Sequence, residues 1–111
     1  MKKNNQLYLE DIFEAIKAIE EYCDKIKFQQ FGNDQMRHDA AIRQLEIIGE
    51  ATNKLSKDFA EAYPDFPLKQ AVEMRNFLIH GYDEIDLAKV WKTVQKDLPP
   101  LKIQVAKILD K

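Results

Sequence analysis

Apolar residues recur every three or four positions through the first third of the chain, which is the period of an amphipathic α-helix. This spacing predicts one long helix over about residues 7–28. Its apolar positions are Leu9, Ile12, Phe13, Ile16, Ile19, Cys23 and Ile26. The segment "FGND" at 31–34 predicts the break that follows. Gly32 suits a left-handed C-terminal cap, and Asn33 or Asp34 can accept the free backbone N–H groups of the next helix.

The helical period continues in the middle of the chain. A second helix is predicted to run to about Lys57, with an apolar stripe at Ala41, Leu45, Ile48, Thr52 and Leu55. Gly49 lies beside this stripe and offers a place where another helix can approach closely. A short helical turn is predicted in "KDFAEAY", residues 57–63. The prolines of "YPDFP" then interrupt the helix, so Pro67 is predicted to begin a third helix that ends near His80, before Gly81.

The last quarter of the chain predicts two more helical segments. One begins near Asp86 and carries Leu87, Val90, Trp91, Val94 and Leu98, and the pair Pro99-Pro100 is predicted to end it and to start a short last helix. No segment alternates with the period of two that is typical of a strand. The sequence therefore predicts an all-α protein, a single domain over residues 1–111, built as an antiparallel bundle of four main helices plus a short C-terminal helix.

Charge and composition narrow the possible functions. Seventeen Lys and Arg against nineteen Asp and Glu give a net charge of −2, so a site for a polyanion has to be local. The six lysines after Ile85 are interpreted as a solvated face. Cys23 is the single cysteine and is predicted to be a core residue rather than a nucleophile. No stretch has the length of a signal h-region or a membrane span, which predicts a cytoplasmic protein with no membrane partner.

The third predicted helix carries an arginine in the middle of its apolar arc. On a helical wheel the arc consists of Leu68, Ala71, Val72, Arg75, Leu78, Ile79 and Tyr82. A guanidinium is costly to bury without an anion. One interpretation is a structural ion pair with a carboxylate, for which Glu50 is the nearest candidate. The other is a substrate phosphate, which the planar donors of arginine match well.

His80 adds a titratable group to the same helix, about 140° around the wheel from Arg75 and one turn after Asn76. Its place in the last helical turn favours the protonated imidazole. RNA cleavage without a metal needs a base, an acid and cationic donors for the phosphorane. One chain supplies a single His80, and His38 is predicted to lie on the surface without a partner. A homodimer with helix three near its two-fold axis would supply two copies of His80 and Arg75.

Other sites receive little support from the sequence. It contains no glycine-rich phosphate loop, no Ser-His-Asp arrangement and no His/Cys/carboxylate cluster at zinc spacing, so neither a metal site nor a cofactor is predicted. Trp91 and the phenylalanines have core spacing and are predicted to pack in the interior.

Three stretches, "RQLEIIGEATNKLS" (43–56), "YPDFPLKQAVEMRNFLIHGYDEIDLAKVW" (63–91) and "LPPL" (98–101), resemble the HepT-like family of HEPN-domain ribonuclease toxins. The resemblance spans nearly the whole chain and includes an Arg-x4-His-x-Tyr motif, here Arg75, His80 and Tyr82. It implies a helical bundle that dimerises, so that two motifs form one metal-independent ribonuclease site. It also implies an MNT-type nucleotidyltransferase antitoxin that modifies the motif tyrosine, here Tyr82.

The resemblance assigns further residues to the same site. Arg75 and His80 take the catalytic positions, and Asn76 supports them because it can orient His80. Glu50 and Arg43 match the family pattern around "IIGEA" and look like supporting or structural groups. The expected substrate is RNA, and no DNA partner is expected. Two alternatives stay open: a non-catalytic helical module that binds a nucleotide or RNA or docks the nucleotidyltransferase, and a scaffold dimer in which Arg75 and Glu50 form a buried ion pair.

Overall fold

The structure, a computed structural model, describes residues 3–80 and 85–111, without the side chains of Ile79 and His80. These ranges form helices α1 (Lys3–Tyr22), α2 (Phe28–Asn33), α3 (Gln35–Lys54), α4 (Lys57–Ala62), α5 (Leu68–His80), α6 (Leu87–Lys92) and α7 (Leu98–Leu109), with a π-helical turn (Thr93–Asp97) between the last two. The described residues contain no β-strand, and the prediction of an all-α bundle is confirmed.

The long helix α3 organises the bundle. It packs along α1 on one side and against α5 on another, while α1 also contacts α7 and α2 contacts both α3 and α6. The fully buried side chains come from α1, α2, α3, α6 and α7 and include Leu9, Ile12, Ile16, Ile19, Phe31, Leu45, Ile48, Val90 and Val105. The apolar stripes predicted for the first two helices therefore form the core, as their helical spacing requires.

The first helix ends earlier than predicted. It stops at Tyr22 instead of Phe28, and Lys25 in the following turn takes the left-handed conformation with a φ of 59°. The Arg37 guanidinium donates a hydrogen bond to the Tyr22 carbonyl oxygen, which satisfies an acceptor that a helix end leaves free. Gly32 is not the cap, because it lies inside α2 and has no positive φ.

The predicted cap of the second helix is confirmed at Asp34. Its carboxylate accepts hydrogen bonds from the Arg37 backbone N–H at 3.1 Å and from Arg37 Nε at 3.2 Å. These bonds, the backbone one first, hold the pKa of the Asp34 carboxyl below its usual value. Asp34 therefore begins α3 and, through Arg37, also connects α3 to the end of α1.

The second helix ends at Lys54, before the predicted Lys57, because Ser56 takes another role. The Ser56 hydroxyl accepts a hydrogen bond from the Phe59 N–H and caps the short helix α4, which confirms the turn predicted there. The buried side chain of Asn5 accepts the Ser56 N–H at 3.1 Å and donates to the Ser56 hydroxyl at 2.9 Å. These bonds join the start of α1 to the α3–α4 corner.

The proline-rich segments confirm one prediction and correct another. Helix α5 begins directly after Pro67, as predicted. The pair Pro99-Pro100 lies in the first turn of α7, as predicted, but it does not separate α7 from α6 by a loop. The Leu98 N–H donates to the carbonyl of Thr93, five residues back, so the chain passes between the two helices through the π turn.

Two of the C-terminal lysines form ion pairs at the surface, in agreement with the solvated face that was predicted for them. Lys102 Nζ lies 2.7 Å from a Glu20 carboxylate oxygen, and Lys111 Nζ lies 3.6 Å from one of Glu10. Both pairs are partly exposed and join α7 to α1, so they add little to stability individually.

Cys23 lies in the core as predicted, with 8% of its surface exposed. Burial raises the pKa of its thiol, which opposes a nucleophilic role. None of the described helices has the length and apolar character that crossing a bilayer requires.

Candidate active site

The contact between α3 and α5 places Arg75 against Gly49. A Cβ atom added to Gly49 would lie 2.6 Å from Cβ and 3.1 Å from Cγ of Arg75, closer than side chains pack. The contact leaves no room for a side chain at position 49, and the close approach predicted at Gly49 is confirmed.

Arg75 is half-buried in this contact and lacks an ionic partner among the described residues. Its Nε atom is buried and has no hydrogen-bond partner in the described part of the chain. Buried nitrogen donors are almost always paired in folded proteins, because an unpaired one loses its hydration without compensation. The guanidinium therefore differs from that of Arg37, which is paired to Asp34 and to a backbone carbonyl.

Glu50 does not supply the missing partner. It follows Gly49 directly, so its side chain points about 100° around α3 from the Arg75 contact. There it is half-exposed, and a carboxylate oxygen lies 4.0 Å from Nη1 of Arg43, which also lies 3.3 Å from a Glu46 carboxylate oxygen. The hypothesis of a buried Arg75–Glu50 ion pair is wrong for this structure. A supporting role of Glu50 in the site stays a prediction.

The buried surface of α5 is wider than the apolar arc predicted from the helical wheel. Ala71 and Leu78 of the arc are buried, but Met74 and Phe77, outside it, also pack against the core. The Lys89 ammonium lies 4.2 Å from the centre of the Phe77 ring, which connects α5 to α6. These contacts fix α5 between two neighbours and so fix the rotation at which Arg75 meets Gly49.

The remaining motif residues are only partly described. Asn76 is exposed, one turn before His80, the last residue of α5. The His80 side chain, Gly81 and Tyr82 lie outside the described residues. The orienting role of Asn76 and the positions of the motif histidine and tyrosine side chains therefore stay predictions.

His38 is not the surface residue that was predicted. Its side chain is only 14% exposed, and Nδ1 lies 3.1 Å from the Phe31 carbonyl oxygen. The ring also packs near that of Phe31, with centroids 6.0 Å apart. The reason is tertiary: the short helix α2 folds back over the start of α3 and covers His38, which therefore has a structural role.

Trp91 packs against the core as predicted, but Phe28, which was also predicted to lie in the interior, is 42% exposed. Its ring lies 5.1 Å from that of Phe31 and 6.2 Å from that of Phe28. Among the described residues, no group of three or more His, Cys, Asp or Glu side chains is placed to bind a metal ion.

Comparison with known proteins identifies the chain. The model of the HepT-like family, described as "Ribonuclease HepT-like", matches residues 12–108. The chain belongs to the HepT-like ribonuclease family. The match includes α3 and α5 in full, and with them Gly49 and the whole Arg75–Tyr82 motif.

Curated relatives of this HepT-like chain support ribonuclease activity. A protein named "Probable ribonuclease HepT" from Thermococcus cleftensis is 44% identical over 108 residues, which cover 97% of this chain and 98% of that protein. A Methanocaldococcus jannaschii protein with a provisional RNase name is 40% identical over 104 residues, covering 94% of this chain and 95% of the relative. No solved structure matches the chain significantly.

A second Methanocaldococcus jannaschii relative is about twice as long as the segment that matches this chain. It is named a gamma-glutamylcyclotransferase and, provisionally, an RNase, and it is 41% identical over 110 residues, which cover 99% of this chain but 50% of that protein. This chain therefore spans about half the length of that relative.

Proposed function

We propose that this HepT-like chain is the toxin of a toxin–antitoxin system and acts as a metal-independent endoribonuclease. Arg75 and His80 of two subunits would form one composite site. The observation that carries the proposal is Arg75 itself, half-buried on Gly49 with an unpaired, buried Nε and no ionic partner in the described residues. A cation held there without a carboxylate is suited to a substrate anion, and the RNA phosphate has the matching planar oxygens.

The proposed reaction uses the 2′-hydroxyl of the RNA as nucleophile. His80 of one subunit takes the 2′-hydroxyl proton while the 2′-oxygen forms a bond to phosphorus. His80 of the other subunit donates a proton to the 5′-oxygen as its bond to phosphorus breaks. The two Arg75 guanidinium groups stabilise the negative charge of the phosphorane between these steps. The products are a 2′,3′-cyclic phosphate and a 5′-hydroxyl.

The proposed site includes supporting groups and a partner. Asn76 would orient His80, and Glu50 would act indirectly, through Arg43 and the surface of α3. The proposed antitoxin is an MNT-type nucleotidyltransferase that modifies Tyr82.

The composite site predicts a homodimer, because one chain supplies a single motif histidine. Light scattering at micromolar concentration should give about twice the mass of the 13.0 kDa chain. A variant with an exposed charge changed far from α5, such as Lys17→Ala, should give the same mass. A wild-type protein that is monomeric in this range and still cleaves RNA would rule out the composite site.

The proposed chemistry predicts cleavage in excess EDTA. The measurement is digestion of a labelled single-stranded RNA, with the product ends identified by mass spectrometry as 2′,3′-cyclic phosphate and 5′-hydroxyl. An RNA carrying 2′-deoxyribose at the cleavage position should resist, because it lacks the nucleophile. Strict dependence on a divalent ion, or 3′-hydroxyl and 5′-phosphate ends, would exclude this mechanism.

A further inference from the structure

Gly49 is placed for its contact with Arg75 and not for its own backbone conformation. No glycine of the described residues has a positive φ, so an alanine at position 49 could adopt the same helical backbone. Glycine inside a helix lowers helix stability relative to alanine. The obstacle to alanine is the other helix, because the added Cβ would lie 2.6 Å from Arg75 Cβ and 3.4 Å from its Cα.

Gly32 provides the contrast within the same chain. It also lies in a helix, α2, but a Cβ added there would meet nothing within 4 Å. The two glycines therefore separate two effects, the loss of glycine in a helix and the loss of room beside Arg75.

The Arg75 side chain is confined at two points, at its base by the Gly49 contact and at Nε, which is buried. Its Cβ and Cγ lie against the α3 backbone at the glycine, and its Nε is buried further along. An arginine with a free stem samples many rotamers, and ordering it costs conformational entropy. A stem held against a helix backbone has lost that freedom before the substrate arrives, which is preorganisation.

We propose that Gly49 is a positioning residue that fixes the Arg75 side chain, so that its two terminal nitrogens are presented to the scissile phosphate. That these nitrogens bind the scissile phosphate rests on the proposed ribonuclease function. The steric contact between Gly49 and Arg75 is independent of that function and can be tested separately.

The activity test compares Gly49→Ala with Gly32→Ala at a temperature where both are folded. An added Cβ at position 49 has to push α5 away or bend the Arg75 stem, and a displacement of about 1 Å at a catalytic group can cost about 100-fold in rate. Gly49→Ala is expected to lower kcat by roughly that factor with KM changed by less than about threefold. Gly32→Ala should match the wild type in both constants. A folded Gly49→Ala protein with wild-type kcat would overturn the proposal.

A second readout follows the position of Arg75 without any substrate. Because Nε is buried, its N–H should exchange slowly with solvent in the wild type and give a resolved resonance in nitrogen–proton NMR spectra. Gly49→Ala should accelerate this exchange by tenfold or more, whereas Gly32→Ala should not. Unchanged exchange in Gly49→Ala would show that the glycine does not hold the arginine.

A double variant covers the case in which Gly49→Ala unfolds. Overpacking of this kind should lower the melting temperature by about 10 °C in the wild-type background. In an Arg75→Gly background the clashing Cβ is absent, so adding Gly49→Ala should leave the melting temperature unchanged or raise it. The protein concentration is held constant, because a dimer's stability depends on it. If Gly49→Ala lowers the melting temperature equally in both backgrounds, the contact with Arg75 is not the reason for glycine at this position.

These measurements separate the proposal from the proposed function. If the wild type cleaves no RNA, the ribonuclease assignment fails, yet the Nε–H exchange and the double variant still decide whether Gly49 holds Arg75. If the wild type cleaves and Arg75→Ala does not, a wild-type rate in Gly49→Ala removes the positioning role alone.

Discussion

Arg75→Ala and His80→Ala are each expected to reduce RNA cleavage by roughly 100- to 10,000-fold while the protein stays folded. In the proposed mechanism Arg75 contributes the charge that stabilises the phosphorane and His80 contributes the proton transfers. Single groups of these kinds supply factors of this size. Arg75→Lys should recover little activity, because an ammonium cannot make the bidentate contact of a guanidinium. Initial cleavage rates of a labelled RNA at equal protein concentration are the measurement.

His38→Gln is the matched control for His80→Ala. His38 is largely buried against Phe31 and away from the α3–α5 contact, so its loss should lower stability but not cleavage below the melting temperature. Circular dichroism and thermal unfolding should show that Arg75→Ala keeps the helical fold, since Arg75 makes no ion pair among the described residues. Cleavage at the wild-type rate by His80→Ala would mean that another group is the base. Failure of Arg75→Ala to fold would favour a structural arginine.

Tyr82→Phe is expected to stay toxic and to escape the proposed antitoxin. Modification would join the tyrosine oxygen to the α-phosphorus of a nucleoside triphosphate, with pyrophosphate leaving and the phenolic proton passing to solvent. The added phosphate would bring negative charge and bulk to the proposed RNA-binding cleft. Phenylalanine keeps the ring but lacks the oxygen, so growth arrest should persist when the nucleotidyltransferase is co-expressed.

Tyr63→Phe is the control for this experiment, because Tyr63 is an exposed tyrosine between α4 and α5, packed against the Phe59 ring. Co-expression should silence Tyr63→Phe as it silences the wild type, and mass spectrometry should locate the nucleotidyl groups on Tyr82 in both. If Tyr82→Phe is silenced and carries a modification on another residue, the antitoxin acts at that residue and not at Tyr82. Silencing without any modification would support neutralisation by binding alone.

The sequence by itself determined the all-α class, the buried positions of the long helices and the helix starts that depend on nearby residues. The period of three to four follows from helix geometry, and the core positions it predicted in α1 and α3 are buried except Phe13, which is partly buried. Helix α5 begins directly after Pro67, whose fixed φ suits the start of a helix, and Asp34 caps α3 because its carboxylate reaches the N–H three residues on. The resemblance of residues 43–56, 63–91 and 98–101 to the HepT-like family also indicated the family, which the comparisons confirm.

The tertiary structure alone decided the features that depend on which groups meet across the bundle. Arg37 of α3 bonds the free Tyr22 carbonyl where α1 ends, and the burial of His38 follows from α2 folding over α3. The helical wheel placed Arg75 in an apolar arc but could not say what faces it. The structure brings it to Gly49 and leaves Glu50 with Arg43, because the direction in which α3 presents each side chain is fixed by its packing against α1 and α5 together.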